Sequence, residues 1–114
     1  LSPPGIIFPI VWSILYTLMG ISFARLEINN LHDNETKKVY YEQLIVNLSW
    51  PIFFFTFKWR LFSILIILLL LILVIRMIRV FYRKEKLAGL LQIPYLLWVS
   101  FATYLNISTY FLNN

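Results

Sequence analysis

The 114-residue sequence has no cysteine, a single histidine, three glycines and only five acidic residues. Without cysteine there is no disulfide framework and no thiolate chemistry. His32 stands alone in a polar stretch among Asn and Asp, where a surface residue is the expected reading. One histidine assembles neither a haem axial pair nor a zinc site. No phosphate-cradling glycine loop, carboxylate pair or nucleophile–base set is present. Charge is scarce too, at 13% of residues, about half the roughly 25% usual in a soluble domain. Hydrophobic residues make up 61%, and four Trp, seven Tyr and ten Phe bring the aromatic share to 18%. So short a chain has too little interior to hide that much apolar surface from water. These shortages exclude an ordinary soluble hydrolase or transferase and leave a polytopic membrane protein.

Four apolar stretches carry that reading. Residues 6–24 hold no charge over 19 positions, close to the roughly 20 a helix needs to cross hydrocarbon. No basic segment precedes them, so a signal peptide is not the expected reading. A polar loop is expected over 25–39, with an Asn-Glu-Thr capping run before the next helix. The second span, 40–57, is less pure, holding Glu42, Gln43, Asn47 and Pro51. A basic turn, Lys58 to Arg60, leads to the third span, 61–82, where Arg76 and Arg79 can snorkel. The fourth, 87–112, is interrupted by Pro94. The fold expected is therefore all-α, a transmembrane bundle forming a single domain over 1–114. Loops 25–39 and 76–86 contain eight of the ten basic residues, so the positive-inside rule places both in the cytoplasm, with a bacterial cytoplasmic membrane the expected site. The basic residues flank lipid spans and form no aromatic-lined groove, which argues against nucleic acid as a partner.

Polar and aromatic residues fall into stripes. Tyr40, Gln43, Asn47, Trp50 and Phe54 lie within an arc of about 80° on the second span. Pro9, Trp12, Tyr16, Met19 and Phe23 share a face of the first, and Tyr95, Trp98, Ala102, Leu105, Asn106 and Thr109 one of the last. The third span shows no such face and is expected to meet lipid on most of its perimeter. Asn47, Gln43 and Asn106 should point inward, because an amide in hydrocarbon needs a partner. Two readings stay open at this point. The stripes glue helices together, with Gly20 and Ala102 allowing close approach, or they enclose a pocket for a flat apolar ligand. Trp59 and Tyr82 read as interfacial belt residues.

Three segments carry a specific likeness: SPPGIIFPIVWSILYTLMGIS (2–22), YYEQLIVNLSWPIFFF (40–55) and PYLLWVSFATYLN (94–106). Their motifs, in this order and spacing, resemble the TspO/translocator-protein family, which includes tryptophan-rich sensory proteins and the peripheral benzodiazepine receptor. The resemblance implies a five-helix bundle, often a homodimer, with a pocket for porphyrins such as protoporphyrin IX, or haem, and no cofactor required for the fold. The family's first helix and most of its lid loop would precede Leu1, so an N-terminally truncated chain with four of the helices is implied. By position, Trp12, Asn47, Trp50, Trp98, Ala102 and Leu105 match pocket-lining residues, and Phe8 matches a place near the pocket mouth. The chain has Ile6 where many members have Trp. It also lacks the basic residue of the mammalian cholesterol motif, so the resemblance does not carry cholesterol binding here.

Three functions follow as expectations. The first is binding of a tetrapyrrole for sensing or transport, the porphyrin stacking on Trp12 and Trp98 and oriented by Asn47. The absence of an axial histidine in the spans favours metal-free porphyrin. The second is light-dependent porphyrin degradation, with Trp12 and Trp98 taking part in place of any acid–base set. The third is a structural module whose motifs serve only packing.

Overall fold

In the computed structural model the described residues are 7–112, with the side chains of Ile7, Phe8 and Phe55 set aside. They fold entirely into helices and short connections. The order is α1 (Ile7–Ile28), α2 (Asn34–Pro51), a π-helical turn (Ile52–Thr56), α3 (Arg60–Lys84), α4 (Lys86–Leu90) and α5 (Ile93–Leu112). The bundle is 49 Å long and 25 by 19 Å across.

The ends of these helices follow from local chemistry, and they correct the expected loop 25–39. Pro9 sits in the first turn of α1, where its missing N–H costs nothing. The helix then runs four residues past Ala24 and closes on Asn30, whose φ of 57° is left-handed. Leu31 N donates to Leu26 O at 2.8 Å and Asn30 N to Glu27 O at 3.1 Å, a Schellman closure with Asn in the usual glycine position. Only 29–33 then remain before α2. Asp33 caps α2: its carboxylate accepts from Thr36 N at 2.8 Å, while Thr36 Oγ1 accepts from Asp33 N at 2.9 Å. The connection is short because this box starts α2 six residues before Tyr40.

Proline shapes the other breaks. Pro51 ends α2, and the chain continues as a widened turn in which Phe57 N donates to Ile52 O at 3.1 Å. Lys58 adopts a left-handed φ of 55° and Trp59 leads into α3. The expected span 87–112 is divided at Leu91 and Gln92, before Pro94, which lies harmlessly in the first turn of α5.

α3 is the centre of the bundle, packed against both α2 and α5, with α4 folded back onto it. Its buried residues Ser63, Ile67, Leu70, Val74, Met77 and Phe81 recur at helical spacing. The third span thus has an inner row that no polar or aromatic stripe marked in the sequence, while Leu61, Leu65, Leu68, Leu69 and Ile72 are exposed on the rest of its surface. On α1 the deepest residues are Leu15, Met19, Ser22 and Leu26, and Ser22 Oγ donates to Ala88 O at 2.6 Å. Trp12, Tyr16 and Phe23 lie on the shoulder of that stripe, less buried than its centre. Gly20 is not a close-approach residue, since a methyl there would meet nothing within 4 Å. Gly89 takes that role: a Cβ would stand 2.6 Å from Tyr82 Cβ and 2.7 Å from its Cα.

Three helical segments are long and apolar enough to cross a membrane: Pro9–Ile28, Arg60–Lys84 and Lys86–Leu112. α2 does not meet that measure among the described residues, because Glu35, Lys37, Lys38 and Glu42 fall in its first half. The protein is thus an integral membrane helical bundle. Arg25 Nε donates to Glu85 Oε1 and Lys84 pairs with Asp33, so the α1–α2 and α3–α4 connections lie at one end. At that end Arg76 also meets Glu42 at 3.3 Å.

Candidate ligand-binding site

A chain of side chains crosses the middle of the bundle from α5 through α1 to α2. Trp98 and Trp12 meet edge to face, their ring centroids 6.3 Å apart and planes at 85°. Trp12 in turn stacks on Tyr16 at 5.5 Å and 26°. The Tyr16 hydroxyl donates to Asn47 Oδ1 at 2.7 Å. Three residues singled out from the sequence, Trp12, Asn47 and Trp98, are thereby brought into one connected group.

Beyond Asn47 the connection becomes purely polar. Asn47 Nδ2 donates to the Tyr95 hydroxyl at 2.7 Å, and Tyr95 donates to Gln43 Oε1 at 2.6 Å. Gln43 Nε2 finally donates to Tyr40 O at 2.9 Å and approaches Met19 Sδ at 3.6 Å. Every donor here has an acceptor, and Gln43, Asn47 and Tyr95 are each no more than 1% exposed. Satisfied networks in low dielectric hold groups rigidly. Asn47 therefore joins helices, with both its polar atoms engaged, and the more exposed Tyr16 is the member nearest the tryptophans.

The other sequence-selected residues form a second contact. Trp50, stacked on Phe54 at 5.0 Å, donates its indole N–H to Asn106 Oδ1 at 2.8 Å, linking α2 to α5. Asn106 Nδ2 is buried without a protein partner among the described residues. Ala102, 7% exposed, lies one turn before Asn106, and Leu105 beside it is half-buried. Phe8 stands in the first turn of α1, but its side chain lies outside the described residues, as do Ile6 and the Pro3-Pro4 segment.

Against Trp98 opens a groove of about 480 Å³ between α1 and α5, lined by Val11, Ile14, Leu15, Pro94, Leu97, Trp98 and Phe101. The groove is open to the outside of the bundle, with Ile14, Leu97 and Phe101 exposed, its walls are almost wholly apolar, and Trp12 lies beside it without lining it. Apart from Trp98, none of its lining residues had been selected from the sequence. Val11, Ile14 and Leu97 look like any lipid-facing aliphatics there, so no signal marked them. Tyr16 and Tyr95 were on the stripes, and two tyrosines facing buried amides at positions 43 and 47 are a signal that sequence reasoning passed over.

No group of three or more His, Cys, Asp or Glu that could hold a metal occurs among the described residues. His32 is half-buried and not a simple surface residue: its ring packs on Phe23 at 4.2 Å and Nδ1 lies 3.2 Å from Thr36 Oγ1.

The TspO/MBR family model matches residues 1–112. Tryptophan-rich protein TspO of Chlorobaculum tepidum is 38% identical over 115 residues, which cover 98% of this chain and 73% of that protein. Protein CrtK of Rhodobacter capsulatus is 35% identical, covering 97% and 71%. A tryptophan-rich sensory protein of Cereibacter sphaeroides is 31% identical, covering 98% and 70%.

Proposed function

The chain belongs to the TspO/MBR family, and from that premise we propose that it is a membrane sensory protein whose ligand is a tetrapyrrole bound against Trp12 and Trp98. The observation that carries this reading is the edge-to-face contact of those two indoles at 6.3 Å, beside an apolar groove of about 480 Å³. A porphyrin is broad, flat and mostly apolar, with polar groups at its edge. Indole faces supply stacking area at low entropic cost, and the Tyr16 hydroxyl, fixed by Asn47, supplies a polar group next to Trp12. Asn106 Nδ2 is a further buried donor without a protein partner among the described residues. With no histidine in the spans, the donor set suits metal-free protoporphyrin IX better than axially ligated haem.

Titration of protoporphyrin IX into the purified protein, followed by tryptophan quenching and the porphyrin absorption band, tests the reading. Binding should weaken at least tenfold in the Trp12→Phe, Trp98→Phe double variant. Unchanged spectra and affinity in that variant would place the ligand elsewhere.

A second reading, light-dependent breakdown of the porphyrin, is favoured by the direct contact of the two indoles, through which an electron hole could be shared. Illumination of the complex in air should then yield a bilin-like absorbance that the double variant does not form. The homodimer and a bacterial cytoplasmic membrane, with the Arg25–Glu85 end inward, belong to the same proposal. The exposed rows on α3 would serve a second copy as readily as lipid, and the basic end follows the positive-inside rule.

A further inference from the structure

The outer flank of α3 near its C-terminus carries Arg76, Arg79 and Arg83, which share a face within an arc of about 60°. Two shallow grooves lie side by side on this flank. One, of about 380 Å³, is lined by Ile72, Ile75, Arg76, Arg79 and Arg83. The other, of about 360 Å³, is lined by Ile78, Arg79, Tyr82 and Arg83.

The protein compensates only part of the charge in these grooves. Arg76 pairs with Glu42, while Glu85 and Asp33 are taken by Arg25 and Lys84. Among the described residues neither Arg79 nor Arg83 has a carboxylate partner; Arg83 Nε reaches only Arg79 O, at a long 3.4 Å. Position matters as much as charge. Counting the roughly 20 residues that cross hydrocarbon from Leu61 ends at Val80. Arg79 thus stands at the hydrocarbon boundary and Arg83 one turn beyond it, level with lipid headgroups. Ile72 and Ile75, in the same groove, stand one to two turns deeper, level with acyl chains.

We infer that this flank of α3 is a binding site for an anionic phospholipid, its phosphate held between Arg79 and Arg83 and its chains laid along Ile72 and Ile75. The planar guanidinium fork matches phosphate oxygens in geometry and charge. The aliphatic continuation of the groove selects a lipid over a soluble anion. Tyr82, with its hydroxyl at the interface, closes the second groove. The site is built from α3 alone, shares no residue with the groove beside Trp98, and does not depend on what binds there.

Native mass spectrometry of the full chain in detergent, given equal amounts of phosphatidylglycerol and phosphatidylcholine, tests this inference. The parent protein should retain phosphatidylglycerol preferentially. The R79Q/R83Q variant should lose that preference, with roughly fivefold expected for each arginine, and R79K/R83K should keep part of it. K37Q/K38Q, which removes the same charge from α2, should behave as the parent. All these side chains are exposed, so circular dichroism should report equal helicity. Equal retention of the two lipids by the parent, or undiminished preference in R79Q/R83Q, would overturn the assignment. So would displacement of phosphatidylglycerol by excess inorganic phosphate at constant ionic strength, which would mark a site for free anions.

Discussion

Asn47 and Tyr95 hold α2 and α5 together through one hydrogen bond of 2.7 Å, and the tyrosine hydroxyl passes the chain on to Gln43 at 2.6 Å. One oxygen therefore satisfies two buried amides. Tyr95→Phe removes it and leaves both Gln43 Oε1 and an Asn47 N–H without a partner. A single orphaned buried group costs about 1–3 kcal/mol, while interhelical hydrogen bonds in membranes average about 0.6 kcal/mol. Two groups orphaned together should cost about 2 kcal/mol. Thermal unfolding in detergent measures it. Tyr16→Phe should cost less, because Tyr16 is 38% exposed and its loss orphans only Asn47 Oδ1. Equal stability of Tyr95→Phe and the parent would show that the network carries no energy.

Gly89 and Gly20 should respond oppositely to alanine. At Gly89 a methyl meets backbone atoms of Tyr82 at 2.7 and 2.8 Å, so α4 must move off α3. Overpacking of this kind costs about 1–3 kcal/mol. At Gly20 the methyl enters open space on an exposed helix surface and should stabilise by about 0.5–1 kcal/mol. Melting temperatures of the two variants should move in opposite directions, and a tolerated Gly89→Ala would refute the close packing.

How much of this was legible beforehand depended on contrast within each segment. Along α2 a few amides and aromatics stand out from aliphatics, so the stripe Gln43, Asn47, Trp50 could be read, and all three are buried. Along α3 nearly every residue is Leu or Ile, and the buried row from Ile67 to Met77 differs from the exposed row only in what packs on it. Helix ends were harder still. Arg25 looks like a loop residue until Glu85 supplies its partner from 60 positions away. Asp33 looks like loop polarity until Thr36 completes the box. Which glycine makes the close contact is tertiary information altogether. The two indoles could each be assigned to an inner face, but their 6.3 Å contact depends on how α1 and α5 cross.

Asp33 should give the basic end of the bundle a distinct acid response. The Lys84 ammonium bonded to its carboxylate, helped by Thr36 N–H, holds its pKa down from the ordinary 3.8 to about 2. A carboxylate lowered on folding contributes stability that is fully present above its unfolded value and is lost as pH falls through the folded one. Between neutral pH and about 4 the contribution of this group should be constant, and below that it should decline toward pH 2. The stability gap between the parent and Asp33→Asn should therefore narrow over that window in detergent melts. A gap that stays constant down to pH 2 would show that the charge on Asp33 is irrelevant to α2 and α3.

Trp50 and Asn106 offer a cleaner separation of packing from ligand binding, because each is the other's partner across α2 and α5 at 2.8 Å. Trp50→Phe leaves Asn106 with neither polar atom bonded to the protein, since its Nδ2 already has no partner among the described residues. An unpaired carboxamide at 1% exposure should cost about 1–3 kcal/mol. Asn106→Leu alone takes the acceptor from the Trp50 indole and should also destabilise. With both replaced, no orphaned group remains from this pair, and neighbouring sites of this kind couple by about 0.5–3 kcal/mol. The double variant should thus be more stable than the sum of the single losses allows. If the single losses simply add, the indole and the amide do not stabilise one another. If the restored double variant fails to quench with protoporphyrin while Trp50→Phe alone quenches normally, the proposed porphyrin site extends to Asn106.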